Sequence, residues 1–179
     1  YCGNGADMLV KRLLIDAGDK ELVHYEEARK LYRTEFDKDP FYKIQHYPGM
    51  PETLKTLKQN GVKLGVCSNK PHEAAVKVVK RMFGDQVFDM VMGQSDSIRK
   101  KPAPDGPLKI AEAFGVLPEE CMYLGDSGTD MQTGKAAGMY TVGVLWGYRE
   151  KEELLKNGAD ALVESPEDIL DLYEEKCSK

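Results

Sequence analysis

Paired cysteines are absent from this sequence. The four cysteines stand alone, at Cys2, Cys67, Cys121 and Cys177, and no C-x-x-C pair occurs. Without such a pair, neither a zinc knuckle nor a dithiol redox motif is indicated. Cys67 and Cys121 lie in apolar, strand-like runs, where a free cysteine behaves as a small hydrophobic residue. Since reduced thiols are typical of cytoplasmic proteins, we expect a cytoplasmic location.

Long apolar runs and an excess of positive charge are also lacking. No run approaches the roughly 20 apolar residues of a membrane-spanning helix, and there is no signal-peptide pattern. The formal net charge is −5, from 25 Lys and Arg against 30 Asp and Glu. The basic residues are scattered apart from Arg99-Lys100-Lys101, so neither nucleic acid nor a membrane is expected as a partner. The hydrophobic fraction of 41% is that of an ordinary globular protein.

The first 46 residues differ in pattern from the rest of the chain. Apolar residues in 6–17 recur with the spacing of one helix face, and residues 20–37 predict a second, more polar helix. No strand pattern occurs in this part. Two helices alone are too small to fold independently, so we expect residues 1–46 to form part of a helical cap.

An α/β pattern begins at Tyr47-Pro48-Gly49-Met50-Pro51, where two prolines and a glycine indicate a boundary. Short apolar strands then alternate with helices, which predicts a parallel sheet with helices on both faces. We therefore expect residues 47–179 to form a Rossmann-like three-layer α/β/α core. The predicted strands are 62–67, 87–92, 121–124, 140–145 and 161–163, and the predicted helices are 51–60, 71–83, 105–114, 130–137, 151–156 and 166–175.

Two single residues are candidates for phosphate binding. Ser68 directly follows the strand 62–67, where a hydroxyl and exposed backbone N–H groups can bind a phosphate oxygen. An ordinary turn with a helix N-cap is the alternative. Lys101 precedes Pro102, which favours an extended backbone, and its ammonium can neutralise a phosphoryl group and a carboxylate nucleophile. A solvated basic loop is the alternative there.

An acid pair follows the strand 121–124. Asp126 stands at the carboxyl end of that strand and Asp130 at the start of a helix, and ligands of α/β sheets bind at such ends. Two carboxylates among small residues can hold a hard cation such as Mg²⁺. Alternatively, Asp130 is a first-turn acid favoured by the helix dipole, with Asp126 or Ser127 as the cap.

The order of these motifs resembles that of the haloacid dehalogenase superfamily of phosphotransferases. Ser68 matches its second motif, Lys101 its third, and Gly125-Asp126-Ser127-Gly128-Thr129-Asp130 its fourth. The helices before Tyr47 resemble the helical cap of one subclass. Three stretches are similar to phosphoglycolate phosphatases: Gly3-Asn4-Gly5-Ala6-Asp7, Cys67-Ser68-Asn69-Lys70-Pro71 and Gly143-Val144-Leu145-Trp146-Gly147-Tyr148.

The resemblance implies Mg²⁺-dependent hydrolysis of a small phosphate monoester through an aspartyl-phosphate, and it favours 2-phosphoglycolate as that substrate. It implies that Ser68 and the backbone near Asn69 hold phosphate oxygens, and that Lys101 pairs with the nucleophile and the phosphate. Asp126 would bind Mg²⁺, and Asp130 would support the ion by ligation or by a hydrogen bond to the lysine. The expected partner is a small phosphorylated metabolite, and the expected state a monomer or homodimer.

The family's first motif, D-x-D-G-T, occurs nowhere in the 179 residues. In the family it carries the nucleophile and the general acid/base on the central strand of the sheet. We therefore expect the strands 62–67 and 121–124 each to lack a neighbour, with unpaired backbone groups. We also expect the nucleophile to lie upstream of Tyr1, in a longer enzyme of which this chain is the C-terminal part, and the chain alone to be inactive.

Other functions remain open at this point. One alternative is a different enzyme of the superfamily, such as a sugar-phosphate phosphatase, phosphomutase, phosphonatase or dehalogenase. Another is a phosphate-binding module without catalysis. A response-regulator receiver domain also uses Asp, Ser or Thr, and Lys, but its acids come early and its lysine late, the reverse of this chain.

Overall fold

The computed structural model describes residues 6–39 and 41–177, so the predicted Gly3-Asn4-Gly5 loop lies outside the described residues. The chain divides into two compact units, with the boundary between Ile44 and Gln45. None of the helices in the described ranges combines the length and the apolar character that a bilayer span requires.

The N-terminal unit contains two helices, α1 (Ala6–Asp16) and α2 (Tyr25–Lys38). Arg29 on α2 donates to Asp7 on α1 at 3.0 Å, which links the two helices. The second helix begins five residues later than the sequence predicts. The reason is Asp19, whose carboxylate accepts the backbone N–H groups of Val23 and His24, each at 2.9 Å. These bonds lower the pKa of Asp19 and stabilise a turn where a first helical turn was expected.

The C-terminal unit alternates strands and helices as predicted. Its elements are α3 (Met50–Gln59), β1 (Gly65–Pro71), α4 (His72–Phe83), β2 (Met90–Gln94), α5 (Asp105–Phe114), β3 (Met122–Gly125), α6 (Gly128–Ala136), β4 (Tyr140–Val144), α7 (Lys151–Lys156), β5 (Ala161–Val163) and α8 (Asp168–Cys177). All strand pairs are parallel. They form a two-stranded sheet β1-β2 and a three-stranded sheet β3-β4-β5.

The bounds of β1 correct the sequence prediction. The strand starts three residues late, because the Asp89 carboxylate accepts the N–H of Leu64 at 2.8 Å. It also ends later, at Pro71, after a shift of register that follows Cys67. Ser68 therefore does not directly follow the strand as expected. It lies inside β1, at the irregular part of the ladder.

The strands of the three-stranded sheet differ in how well they are covered. β4 lies between β3 and β5, and its residues Thr141–Val144 are all buried, with Val142 at 0% exposure. By contrast, Leu124 on β3 is 37% exposed. Within the described ranges, β1 pairs only with β2 and β3 only with β4. Each of these two strands therefore has one paired neighbour among the described residues.

Side chains connect the two sheets where backbone hydrogen bonds do not. Tyr123 on β3 packs in a buried cluster with Ala111 of α5, and Cys67 of β1 packs against that cluster. Burial raises the pKa of both the Cys67 thiol and the Tyr123 hydroxyl. A Cβ at Gly106 would lie 2.6 Å from the Cys67 sulfur, so α5 approaches β1 closely at this glycine.

Two adjacent leucines of α7 provide a matched test of this packing. Leu154 is 0% exposed and lies against Gly143 of β4, whereas Leu155 is 48% exposed. We expect Leu154→Ala to lower the free energy of unfolding by about 2–4 kcal/mol, through lost burial and the cavity left behind. Leu155→Ala should change it by about 0.5 kcal/mol or less. Urea titrations of both variants measure the difference, and equal effects would contradict the packing described.

Candidate active site

Lys101 lies at the carboxyl ends of both sheets. Its Nζ donates to Asp130 Oδ1 at 2.6 Å and to the Cys67 carbonyl oxygen at 3.4 Å. The side chains of Lys101 and Asp130 are only 15% and 10% exposed. Cys67 is the last residue of β1 before its register shifts, and Asp130 belongs to the helix after β3, so one ammonium joins two sheets that do not pair among the described residues. The structure thus brings together three motifs that are far apart in the sequence.

Both carboxylate oxygens of Asp130 accept hydrogen bonds from protein groups. Its second carboxylate oxygen, Oδ2, accepts from the Ser127 hydroxyl at 2.6 Å. Ser127 is also the N-cap of α6 and accepts the N–H of Asp130 at 3.3 Å. The capping and functional interpretations of this turn are therefore compatible. Of the two roles expected for Asp130, these contacts match the bond to the lysine, while direct metal ligation stays a prediction.

Asp126 directly follows β3, as predicted, and is held by the loop after β4. Its Oδ2 accepts the backbone N–H of Tyr148 at 3.1 Å. A Cβ at Gly147 would overlap the Asp126 side chain, so this position requires glycine. The sequence did not reveal this support, although Gly147 and Tyr148 follow a strand at the same sheet edge.

Two tyrosines lie near Asp126. Burial raises the pKa of Tyr47, and the proximity of Tyr148 and Asp126 adds to the shift, so the Tyr47 hydroxyl stays protonated at neutral pH. The Tyr148 side chain is 70% exposed. Its ring therefore lies mostly in solvent, although its backbone N–H binds Asp126.

The second motif lies beside the lysine. Ser68 is half-buried, and its Oγ accepts the N–H of Lys70 at 3.1 Å, which leaves the hydroxyl hydrogen to donate elsewhere. Asn69 Oδ1 accepts the N–H of Lys101 at 2.8 Å. The structure therefore places Ser68 and Asn69 next to Lys101, as the predicted phosphate site requires.

The loop that carries Lys101 is also hydrogen-bonded to α5, the helix that follows it. Arg99 donates to both carboxylate oxygens of Asp105, at 2.9 and 2.7 Å. These hydrogen bonds lower the pKa of Asp105 to about 2, so the carboxylate stays ionised at any pH above about 3. Arg99 is thus engaged with α5 and is not available as a second phosphate ligand in this arrangement.

The oxygen donors of this chain fit a Mg²⁺ site whose remaining ligands are water and phosphate oxygens. Across residues 6–39 and 41–177, no three His, Cys, Asp or Glu side chains form a cluster that could enclose a metal. Asp126 nevertheless offers a hard carboxylate at the sheet edge. Mg²⁺ commonly takes one or two protein carboxylates and completes its shell with water and phosphate oxygens. A single acid of this chain therefore suffices as its contribution to such a shell.

The Ser68 hydroxyl, the Lys101 ammonium and the Asp126 carboxylate lie at one edge of the parallel strands, an arrangement suited to phosphoryl chemistry, which depends chiefly on positioning and charge. The family model for haloacid dehalogenase-like hydrolases matches residues 1–144. The chain belongs to this family.

Relatives and solved structures agree with the family. A phosphoglycolate phosphatase from Aquifex aeolicus (strain VF5) is 32% identical over 174 residues, which cover 97% of this chain and 78% of the relative. The phosphoglycolate phosphatase of Escherichia coli (strain K12) is 30% identical over 188 residues, covering 95% of this chain and 75% of the relative. The crystal structure of a predicted phosphoglycolate phosphatase from Haemophilus somnus has a TM-score of 0.85 at 26% identity, covering 97% of this chain and 79% of that one.

These comparisons confirm the predicted superfamily and its Rossmann-like α/β core. They also place the chain among hydrolases of the phosphatase type, because the relatives similar over most of its length carry that name.

Adjacent lysines test the central ion pair. Lys101→Met removes one partner of a mostly buried pair and leaves the Asp130 carboxylate without its cation. We expect the free energy of unfolding to fall by about 1–3 kcal/mol, less than for a fully buried pair because both groups keep some exposure. Lys100→Met, at an exposed position of the same loop, should have almost no effect. Equal denaturation midpoints for the two variants would contradict the role of the pair.

Proposed function

We propose that this chain supplies the phosphate-binding and metal-binding part of a phosphatase active site, and that the enzyme hydrolyses a small phosphate monoester. The observation that carries the proposal is the Lys101 ammonium, held between the Cys67 carbonyl and Asp130 where both sheets end. A cation fixed at this edge offers a phosphoryl group a counter-charge that needs little reorganisation as the reaction proceeds.

Each residue of the site has a role in this proposal. The Ser68 hydroxyl and backbone N–H groups near Asn69 bind phosphate oxygens, and Lys101 neutralises the phosphoryl group and the attacking carboxylate. Asp126 holds Mg²⁺, and Asp130 orients the lysine. When bound, Mg²⁺ neutralises charge and orients the phosphate for in-line attack.

The charge balance of the site supports a divalent cation. Lys101, Asp126 and Asp130 together leave one net formal negative charge, since one cation faces two carboxylates. A phosphate monoester at neutral pH adds up to about two negative charges. At the short distances of an active site, such repulsion amounts to several kcal/mol unless a cation offsets it. The residues described therefore fit a site completed by Mg²⁺.

The attacking group in this proposal is an aspartate that is not among the 179 residues. Its carboxylate oxygen forms a bond to phosphorus as the bond to the substrate's ester oxygen breaks, and that oxygen leaves with a proton from the general acid of the same motif. Water then hydrolyses the aspartyl-phosphate, which releases inorganic phosphate and restores the carboxylate. The unpaired edges of β1 and β3 support the proposal, because a parallel strand between them would satisfy both edges. Such a strand would end beside Lys101, where a nucleophile is needed.

The relatives favour 2-phosphoglycolate as the substrate, with glycolate and phosphate as products, since two phosphoglycolate phosphatases are 30–32% identical over most of the chain. A substrate panel tests this. With Mg²⁺, the protein expressed from its natural reading frame should hydrolyse 2-phosphoglycolate with a higher kcat/KM than sugar phosphates or phosphonates. A preference for a sugar phosphate would assign another activity of the family. Phosphate binding without any turnover would favour the non-catalytic module.

Asp126→Asn tests the metal assignment in the same protein. The amide removes the carboxylate charge that we assign to Mg²⁺, so the Mg²⁺ concentration for half-maximal turnover should rise by at least about tenfold. Asp171→Asn, at an exposed position of α8, serves as the charge-matched control and should leave the Mg²⁺ dependence unchanged. Turnover of the Asp126 variant equal to that of the unmodified protein at every Mg²⁺ concentration would rule out the assignment.

The 179-residue chain itself tests the source of the nucleophile. A homogeneous preparation of confirmed intact mass should not release phosphate from 2-phosphoglycolate above the buffer rate, because its sequence lacks the D-x-D-G-T motif that carries the family's nucleophile. Sensitive phosphate detection over hours, with the natural reading-frame product as positive control, measures this. Steady turnover by the 179-residue chain would show that a residue within it attacks phosphorus.

A further inference from the structure

The Asn69 side chain contacts the backbone of Lys101 at two points. Oδ1 accepts the Lys101 N–H at 2.8 Å, and Nδ2 donates to the Lys101 carbonyl oxygen at 3.4 Å. Only the amide oxygen can accept from an N–H, so this pairing also fixes which way the side-chain amide faces. A side chain that binds both the N–H and the C=O of one residue restricts that residue's position and orientation together.

The same lysine is bound at its other end by the strand that carries Asn69. Lys101 Nζ donates to the carbonyl oxygen of Cys67, two residues before Asn69 on β1. β1 therefore contacts Lys101 at its backbone and at its ammonium. Lys101 itself belongs to the connection between β2 and α5, which is otherwise irregular.

The other side-chain contact described for this loop does not bond it to β1 as Asn69 does. The Arg99–Asp105 pair joins the loop to α5, and the Arg99 side chain is 76% exposed. It fixes the loop to the helix that follows but makes no bond to β1. Of the hydrogen bonds described for the loop backbone, those of Asn69 are the ones that reach β1.

We propose that Asn69 is a positioning residue that holds the Lys101 backbone so that its ammonium meets the phosphate, and that its side chain does not itself bind the phosphate. This inference rests on the proposed phosphatase function and revises one part of it. The backbone N–H groups near Asn69 keep their proposed phosphate contacts, while the amide side chain acts through Lys101.

The first experiment measures the position of Lys101 without any substrate. The 179-residue chain is treated with acetic anhydride, and acetylation of Lys101 is compared by mass spectrometry with that of exposed Lys100 in the same loop. Asn69→Ala should raise the Lys101 rate by about fivefold to tenfold, the effect expected from losing a net hydrogen bond. Asn69→Asp keeps the oxygen that accepts the Lys101 N–H and should stay within about twofold of the unmodified chain.

Asn60→Ala is the matched control, since Asn60 is an exposed asparagine at the end of α3. It should leave the acetylation rate of Lys101 unchanged.

An unchanged acetylation rate of Lys101 in a folded Asn69→Ala variant would overturn the proposal. Amide hydrogen exchange in the unmodified chain needs no variant: the Lys101 N–H should exchange at least about tenfold more slowly than an unprotected amide. Exchange at the unprotected rate would equally overturn it.

The second experiment separates positioning from direct contact by a double-mutant cycle with inorganic phosphate as the ligand. Asn69→Ala should weaken phosphate binding about fivefold to tenfold when Lys101 is present, and by less than about twofold in a Lys101→Ala background. Equal losses in both backgrounds would mean that Asn69 binds phosphate directly, and the proposal would fail. If the unmodified chain binds no phosphate, the proposed function fails, while the acetylation result still decides whether Asn69 positions Lys101.

Discussion

The ion pair between Lys101 and Asp130 is the interaction on which the rest of the site depends. Its 2.6 Å contact joins the end of the β1-β2 sheet to the helix after β3, although the sheets share no backbone hydrogen bonds among the described residues. The side chains of Lys101 and Asp130 are only 15% and 10% exposed. Because withdrawing charges from water is costly, each of the two groups needs the other as its partner. The Cys67 carbonyl accepts a second hydrogen bond from the ammonium, and the Ser127 hydroxyl donates to the other Asp130 oxygen, so both members of the pair are held in place.

Around this pair, the supporting contacts come from backbone and from small residues. The N–H of Tyr148 holds Asp126, and glycine at position 147 leaves room for that carboxylate. Glycine at position 125 does the same for Asp130, because a Cβ there would overlap its side chain. Close packing of this kind limits the rotamers of both acids. Asp130 is thus directed toward the lysine, whereas Asp126 is held by the loop after β4.

The sequence predicted the alternation of elements well where local signals agree. Helices 105–114 and 151–156 and strand 161–163 have the predicted bounds. Errors occur where a side chain replaces a regular backbone bond: Asp19 delays α2, and Asp89 delays β1. The motifs and their order along the chain were enough to predict the family.

The hydrogen bonds that hold the site residues in place could not be predicted in the same way. Asn69 and Lys101 are 32 residues apart, and Asp126 and Tyr148 are 22 apart. Such contacts depend on the register of β1 and on how the loops after β2 and β4 fold, and neither follows from periodicity or spacing. Asn69 therefore looked like a substrate residue in the sequence, whereas its side chain contacts the protein backbone.

The most direct test of the account is a crystal structure of the protein with orthovanadate, a mimic of phosphate in phosphoryl transfer. The account predicts the anion at the carboxyl ends of β1 and β3, within hydrogen-bond distance of Lys101 Nζ and Ser68 Oγ, with Asp130 still bound to the lysine. An anion bound elsewhere, or at this edge with Lys101 turned away from it, would contradict the assignment of the lysine as the phosphate's counter-charge.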